Sequence, residues 1–299
     1  MKRRIVVVNP TKCSEGTTIA SSHLARWIAN RLGVPLIDDE ENFTDAADIA
    51  IFVNGMWQFC NFRKNAFKLA ESVRGLIYLA NDYAIMPPTQ IKRRKHIRIA
   101  NFENNDKHPS HCYVNWNKLT HKPHNLEQKH PKHEGLFYYG AFREDRIKSF
   151  NRYLFGDLPY VATVAGSQKS SAAFLAHAPK LRSIGTCEPM VTPGLFQASL
   201  YIEDEKTHQH YHSPANRFYE MLSAGSLILF DAKCLATFMR AGIEIRPWVV
   251  SNREDVAKAL QKSDELRAMQ FSALAHGKNY LRELELEFDE AVKKIKLLD

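Results

Sequence analysis

Short apolar runs rich in β-branched residues, each ending on Asn, Asp or Gly, alternate with segments of helical spacing, and the alternation occurs twice along the chain. Residues 4–9 (RIVVVN), 34–37, 49–53 and 76–80 form the first set of strands. Between them, 17–32 places Ile19, Leu24, Trp27, Ile28 and Leu32 at helical spacing before Gly33, a helix-stop residue, and 59–73 reads as a second helix. A strand apolar along its whole length is covered on both faces, which is the condition of a parallel sheet fed by βαβ units. The pattern weakens over 92–134 and then restarts. Strands are expected at 136–139, 160–165, 200–203 and 227–230, with helices at 145–154, 170–177, 215–223 and 253–262. From Asp264 onward, Leu266, Met269, Leu274, Leu281, Leu284, Phe288, Val292 and Ile295 recur at near-helical spacing. The expected architecture is therefore α/β, with two facing Rossmann-like domains and a C-terminal helix. Residues 1–134 form an N-terminal domain with a basic linker, 135–265 a second domain, and 266–299 a helix packing back towards the first.

A chain of 299 residues, 44% hydrophobic and 25% charged, has enough apolar material for two cores, so disorder is not the default reading. No stretch approaches the roughly 20 apolar residues that span a bilayer, and the opening MKRRIVVVNP has too short an apolar run for a signal peptide. The five cysteines (Cys13, Cys60, Cys112, Cys187 and Cys234) contain no CxxC pair, which argues against a disulfide framework and a zinc ribbon and for a reducing, cytoplasmic setting. The net charge of +8 is concentrated. Residues 91–133 hold ten Lys or Arg against three acids, and seven of the thirteen histidines. Such a segment attracts a polyanion; a solvated surface loop is the alternative.

In parallel α/β sheets ligands sit at the carboxyl ends of strands, beside helix N-termini. Two strand-end motifs stand out. In S213-P-A-N-R-F-Y-E-M-L-S-A-G-S-L-I-L-F-D231, Arg217 and Glu220 share one helix face. A guanidinium fork suits phosphate oxygens, and a carboxylate can accept from both ribose hydroxyls. A surface ion pair is the plain alternative. In Y138-Y-G-A-F-R-E-D-R146, a strand runs into Gly140, with Arg143 and Arg146 just beyond, a plausible diphosphate clamp. Here ordinary helix-start chemistry, with Glu144 and Asp145 at the positive end of the dipole, is the alternative. The full GxGxxG fingerprint is missing, so an NAD site is not supported.

Together, the Gly140 loop with its arginines and the later N-R-F-x-E-x-x-x-x-G, beginning at Asn216, resemble the donor half of GT-B glycosyltransferases over residues 136–260. Among these, they resemble the bacteriophage enzymes that glucosylate modified cytosine in DNA. The resemblance implies a GT-B fold and a nucleotide-sugar donor, a UDP-sugar above all. It implies double-stranded DNA as a partner. It places Arg217 and Glu220 on the donor's diphosphate and ribose, and Arg143 and Arg146 on phosphate. It also brings the Ala165–Lys169 loop, with Ser167 and Lys169, to the phosphates or sugar, and the loop around Thr186 to the nucleobase. Either loop reads equally as a plain turn.

The N-terminal half is expected to hold the acceptor. Asp82 ends the fourth strand, where a carboxylate can take the proton of an acceptor hydroxyl; a turn-capping Asp is the alternative. Asn54 and Trp57 follow the third strand, and Trp57 or Tyr83 can stack on a sugar or a flipped base, or else fill core. Lys92, Arg93, Arg94 and Lys95 are the expected DNA-phosphate contacts. His208, His210 and His212 share a face if extended but have no Cys or Asp at ligand spacing. A divalent metal is compatible with the chemistry yet not predicted from ligands. Two other readings remain open: the same fold acting on a small molecule, lipid or protein, and a non-catalytic nucleic-acid-binding protein.

Overall fold

Every strand pairing among the described residues is parallel, as the continuous apolar runs require. The computed structural model describes residues 4–8, 20–38, 46–53, 63–80, 96–100, 111–113, 131–203 and 214–274. These fall into two compact units, one within Met1–Thr120 and one within His121–Gly277. Among the described residues each unit holds one six-stranded sheet.

The first unit comprises β1 (Ile5–Val8), α1 (Ala20–Leu32), β2 (Leu36–Ile37), β3 (Ile49–Val53), α2 (Arg63–Ser72), β4 (Gly75–Ala80), β5 (His96–Ala100) and β6 (His111–Tyr113). The strand order is β2-β1-β3-β4-β5-β6, a doubly wound arrangement whose direction of growth reverses between β1 and β3. Val6, Val8, Ala50 and Phe52 are buried against Leu69, Ala70 and Val73 at the end of α2. Strands β5 and β6 lie inside the basic stretch, where the sequence pattern is weakest. Basic and polar residues mask the period there, while the backbone still pairs in register, Ile97 with Ile77 and Ile99 with Leu79. These are the outer strands on that side of the sheet, where polar residues are tolerated.

The second unit runs β7 (His133–Tyr139), a 3-10 turn (Glu144–Arg146), α3 (Ile147–Tyr153), β8 (Ala162–Ala165), α4 (Gln168–His177), β9 (Arg182–Ser183), β10 (Phe196–Tyr201), α5 (Asn216–Ser223), β11 (Ile228–Asp231), α6 (Leu235–Arg240), β12 (Val249–Val250), α7 (Arg253–Gln261) and α8 (Ser263–Leu274). Its order, β9-β8-β7-β10-β11-β12, is third-second-first-fourth-fifth-sixth, the Rossmann order. The core is aromatic. Tyr138, Phe150 and Phe174 meet edge to face, joining β7 to α3 and α4. Tyr201, Phe218, Phe230 and Phe238 do the same for β10, β11, α5 and α6. Gly225 ends α5 with φ +71, its amide and that of Ser226 returning to the Leu222 and Met221 carbonyls.

Strand β10 starts at Phe196, four residues before the expected run, because Gln197 and Ser199 interrupt the apolar pattern. Both are structural. Gln197 accepts the Gly135 amide at 2.7 Å, and the Ser199 hydroxyl accepts from Ser226 at 2.7 Å. β9 and β12, of two residues each, are too short to show a period.

The described part of the C-terminal tail, α8, is bonded into the second unit. Arg267 donates to the Phe196 and Gln197 carbonyls, and the Gln270 amide closes both ends on Ile228, accepting its N–H at 2.7 Å and donating to its C=O at 2.8 Å. The tail beyond Leu274 lies outside the described residues. No described helix is long and apolar enough to cross a membrane. Because Gln270 is only 2% exposed, Gln270→Leu strands a buried amide and carbonyl. The expected loss, read from urea unfolding of the second unit, is about 2–4 kcal/mol; an unchanged midpoint would show that α8 is not held through this contact.

Candidate active site

In the second sheet the winding reverses between β7 and β10, so the crevice that binds ligands opens at their carboxyl ends. β7 ends in Tyr138-Tyr139-Gly140, and β10 runs on into Ile202 and Glu203. Helix α5 follows β10 in chain order and presents Arg217 and Glu220 at this junction.

Arg217 bridges the two strand ends. Its Nη1 donates to the Tyr138 hydroxyl (3.1 Å) and the Tyr139 carbonyl (3.3 Å). Its Nη2 donates to the Ile202 carbonyl (2.8 Å) and Glu203 Oε1 (3.3 Å). The guanidinium carbon also lies 5.7 Å from the Tyr138 ring centre and 5.9 Å from that of Tyr201. Burial works against the charge on Arg217, and Tyr138, Glu203, Tyr201 and Tyr139 more than offset it, so its pKa is raised. Arg146, buried in the 3-10 turn, donates to the same Tyr138 hydroxyl at 3.2 Å and lies 3.6 Å from Glu203. Two guanidinium groups thus share one carboxylate and one phenol. Guanidinium groups at a strand-end crevice favour an anion.

Glu220 accepts a 2.7 Å hydrogen bond from the Tyr139 hydroxyl. Burial, then the Glu220 carboxylate, push the Tyr139 pKa well above its ordinary value, so this hydroxyl remains a donor. Burial, and then the Glu220 carboxylate, push the thiol of Cys187, in the loop after β9, up to about 12. That loop is tied inward, because Gly166 donates to the Gly185 carbonyl at 2.7 Å. Thr186, Ser167 and Lys169 are exposed there. Ser167 caps α4, accepting from the Ser170 amide.

Gly140 has φ +139, and a Cβ there would sit 3.0 Å from Arg217 Nη1. Its own amide donates to the Ala165 carbonyl, so the residue supplies clearance for Arg217 and the amide remains in the strand ladder. Arg143 is 45% exposed and paired with Asp145 at 2.7 Å. Asn216 opens α5. Asp82, Asn54, Trp57, Tyr83, Lys92, Arg93, Arg94 and Lys95 lie outside the described residues, as do His208, His210 and His212. Among the described residues no group of three or more His, Cys, Asp or Glu side chains converges as a metal-ligand set.

Sequence reading gave no role to Tyr138, Tyr139 or Glu203. A signal was present: an acid directly after a buried strand, and two tyrosines before the strand-end glycine.

Two doubly wound parallel sheets in one chain of this length are the architecture of GT-B proteins, and comparison with solved structures agrees. The chain matches T4 phage beta-glucosyltransferase bound to UDP and Mn2+ with a TM-score of 0.70 at 16% identity, covering 97% of this chain and 99% of that one. A DNA-modifying beta-glucosyltransferase solved with and without uridine diphosphoglucose matches at 0.66 and 14% identity, over 99% of both chains. A glycosyltransferase of avilamycin A biosynthesis matches at 0.56 and 12%, over 98% of both. No protein-family model matches the chain, and no curated protein sequence does. At these identities the likeness is one of fold, and the chain has the GT-B fold.

Among the described residues Glu203 pairs with both Arg146 and Arg217, and its side chain is 3% exposed. Removing one partner of a buried charge cluster costs about 3–5 kcal/mol, whereas an exposed pair is worth about 1 kcal/mol or less. Chemical denaturation should therefore show a large loss for Glu203→Ala and a small one for Asp145→Ala, which removes the partner of Arg143. Equal effects would mean that the cluster does not hold the strand ends.

Proposed function

We propose that this protein is a glycosyltransferase whose second unit binds a nucleotide sugar, UDP-sugar in the first instance, and whose first unit binds the acceptor. The observation that carries the reading is the placement of Arg217 and Glu220, one turn apart on α5, at the β7/β10 junction of a Rossmann-order sheet. Arg217 and Arg146 meet the diphosphate, with Arg143 at the exposed rim. Glu220 accepts from the ribose. The loop carrying Thr186 faces the nucleobase, and Ser167 and Lys169 at the start of α4, with Asn216, line the phosphate and sugar side. The solved structures with the same fold support this reading through their own ligands, UDP and uridine diphosphoglucose.

In the reaction, the acceptor oxygen attacks the anomeric carbon of the sugar and a new C–O bond forms. The bond from that carbon to the diphosphate oxygen breaks, and the nucleoside diphosphate leaves with the electron pair. Positive charge already fixed at the strand ends meets the charge that develops on the leaving group, without reorganisation. Asp82 takes the hydroxyl proton. The proposed acceptor is a hydroxymethylated base in double-stranded DNA inside a host bacterium. Ten basic residues against three acidic ones over 91–133 support a polyanion, and one neighbour of this fold is a DNA-modifying enzyme. Lys92, Arg93, Arg94 and Lys95 are assigned to its phosphates, and Asn54, Trp57 and Tyr83 to the presented base.

Incubation with a panel of nucleotide sugars, UDP-sugars among them, and with hydroxymethylated duplex DNA, unmodified duplex DNA or small hydroxyl-bearing acceptors, followed by mass measurement, tests the reading. One sugar mass is expected to appear on the hydroxymethylated duplex alone. Asp82→Asn should slow its appearance about 10²- to 10⁴-fold, with UDP affinity unchanged in calorimetry. Sugar appearing only on small acceptors would overturn the DNA assignment, and no transfer or donor hydrolysis with any nucleotide sugar would overturn the enzyme.

A further inference from the structure

Glu203 is an acid in a place where a site for an anion gains nothing from one. It follows the last two residues of β10 at the carboxyl end of the fourth strand, and so borders the crevice read as the place of the diphosphate. A buried carboxylate repels a neighbouring phosphate, because little water lies between them to screen the charges. Bracing the strand ends accounts for the contacts of Glu203 and leaves that repulsion unexplained.

The carboxylate straddles the two arginines. Oε1 accepts from Arg217 Nη2 at 3.3 Å, and Oε2 lies 3.6 Å from Arg146 Nη2. A bond between a guanidinium and a carboxylate is ordinarily about 2.7–2.9 Å long. The same Nη2 of Arg217 reaches the neutral Ile202 carbonyl at 2.8 Å. Glu203 thus acts on both arginines more through its charge than through close bonds, and charge acts at a distance. Other neighbours feel it. Burial, and then the Glu203 carboxylate, push the Tyr201 hydroxyl and the Cys234 thiol well above their ordinary pKa values.

We propose that Glu203 is an internal counter-ion of the donor site, which limits how tightly Arg146 and Arg217 hold a nucleoside diphosphate and so favours release of the product. The inference rests on the reading of the second unit as a nucleotide-sugar site. The leaving diphosphate keeps the electron pair of the broken bond, so it carries one more negative charge than the diphosphate joined to the sugar. A fixed carboxylate nearby therefore disfavours the product more than the donor. Product release limits turnover in many enzymes, and arginines without a counter-ion would hold the product hardest just after transfer.

Calorimetric titration of the full-length protein with uridine, uridine monophosphate and UDP, ligands of rising negative charge, tests the proposal. The quantity read is the ratio of UDP to uridine affinity, to which a general loosening of the fold contributes on both sides. Glu203→Gln keeps the shape and removes the charge. It should raise the ratio roughly tenfold, the size of one interaction with a charged group, with the monophosphate in between. Glu203→Asp keeps the charge, and its ratio should stay within about threefold of wild type whatever it costs in stability. Because a bound diphosphate takes over as counter-ion, UDP should also raise the melting temperature of Glu203→Gln by more than that of wild type. A residue that only braces the strands predicts the other sign, a ratio that falls or does not change on Glu203→Gln. Either result overturns the proposal and leaves the nucleotide site standing, as does an equal rise in Glu203→Asp, a UDP shift no larger than in wild type, or a Glu203→Gln protein still unfolded at saturating UDP. Wild-type protein that binds neither nucleotide overturns the site and the proposal together.

Discussion

The second unit is organised around a carboxylate shared by two arginines at the junction of β7 and β10. Glu203 receives Arg217 and pairs with Arg146, and the Tyr138 hydroxyl accepts from both. Charges taken out of water are tolerated only when each finds partners, and here the partners come from both central strands, the turn after β7 and helix α5. Satisfying the cluster therefore fixes the ends of those elements against one another. It also holds two guanidinium groups at the crevice, which is how a fold-level requirement becomes a binding property.

The strand orders explain why the cluster lies where it does. A Rossmann-order sheet must open between its first and fourth strands, and these are β7 and β10. The first sheet reverses between β1 and β3, which directs attention to the segments after Val8 and Val53, where Asn54 and Trp57 are found. Winding gives each sheet one such crevice, and the division of labour proposed for the two units rests on residue chemistry.

Most of this architecture was legible in the sequence because buried parallel strands announce themselves as uninterrupted apolar runs; β1, β3, β4, β7, β8 and β11 all do so. β5 and β6 were obscured by basic residues, the start of β10 by Gln197 and Ser199, and β9 and β12 by shortness. Within the candidate site, the local feature was readable, since Arg217 and Glu220 are neighbours on one helix. What holds them was not, because Tyr138 and Tyr139 lie 79 and 81 positions away in the chain. The same limit applied to Gly140. The strand–Gly–Arg motif reads as a diphosphate clamp, and it does not show that Gly140 also gives the Arg217 side chain its clearance.

Hydrogen–deuterium exchange of the whole protein with and without UDP tests most directly the claim that the β7/β10 strand ends are a nucleoside-diphosphate site. The account predicts slowed exchange concentrated in 138–146, 184–189 and 216–220, with α7 and α8 unaffected. Exchange that is unchanged by saturating UDP, or slowed only in the first unit, would contradict it.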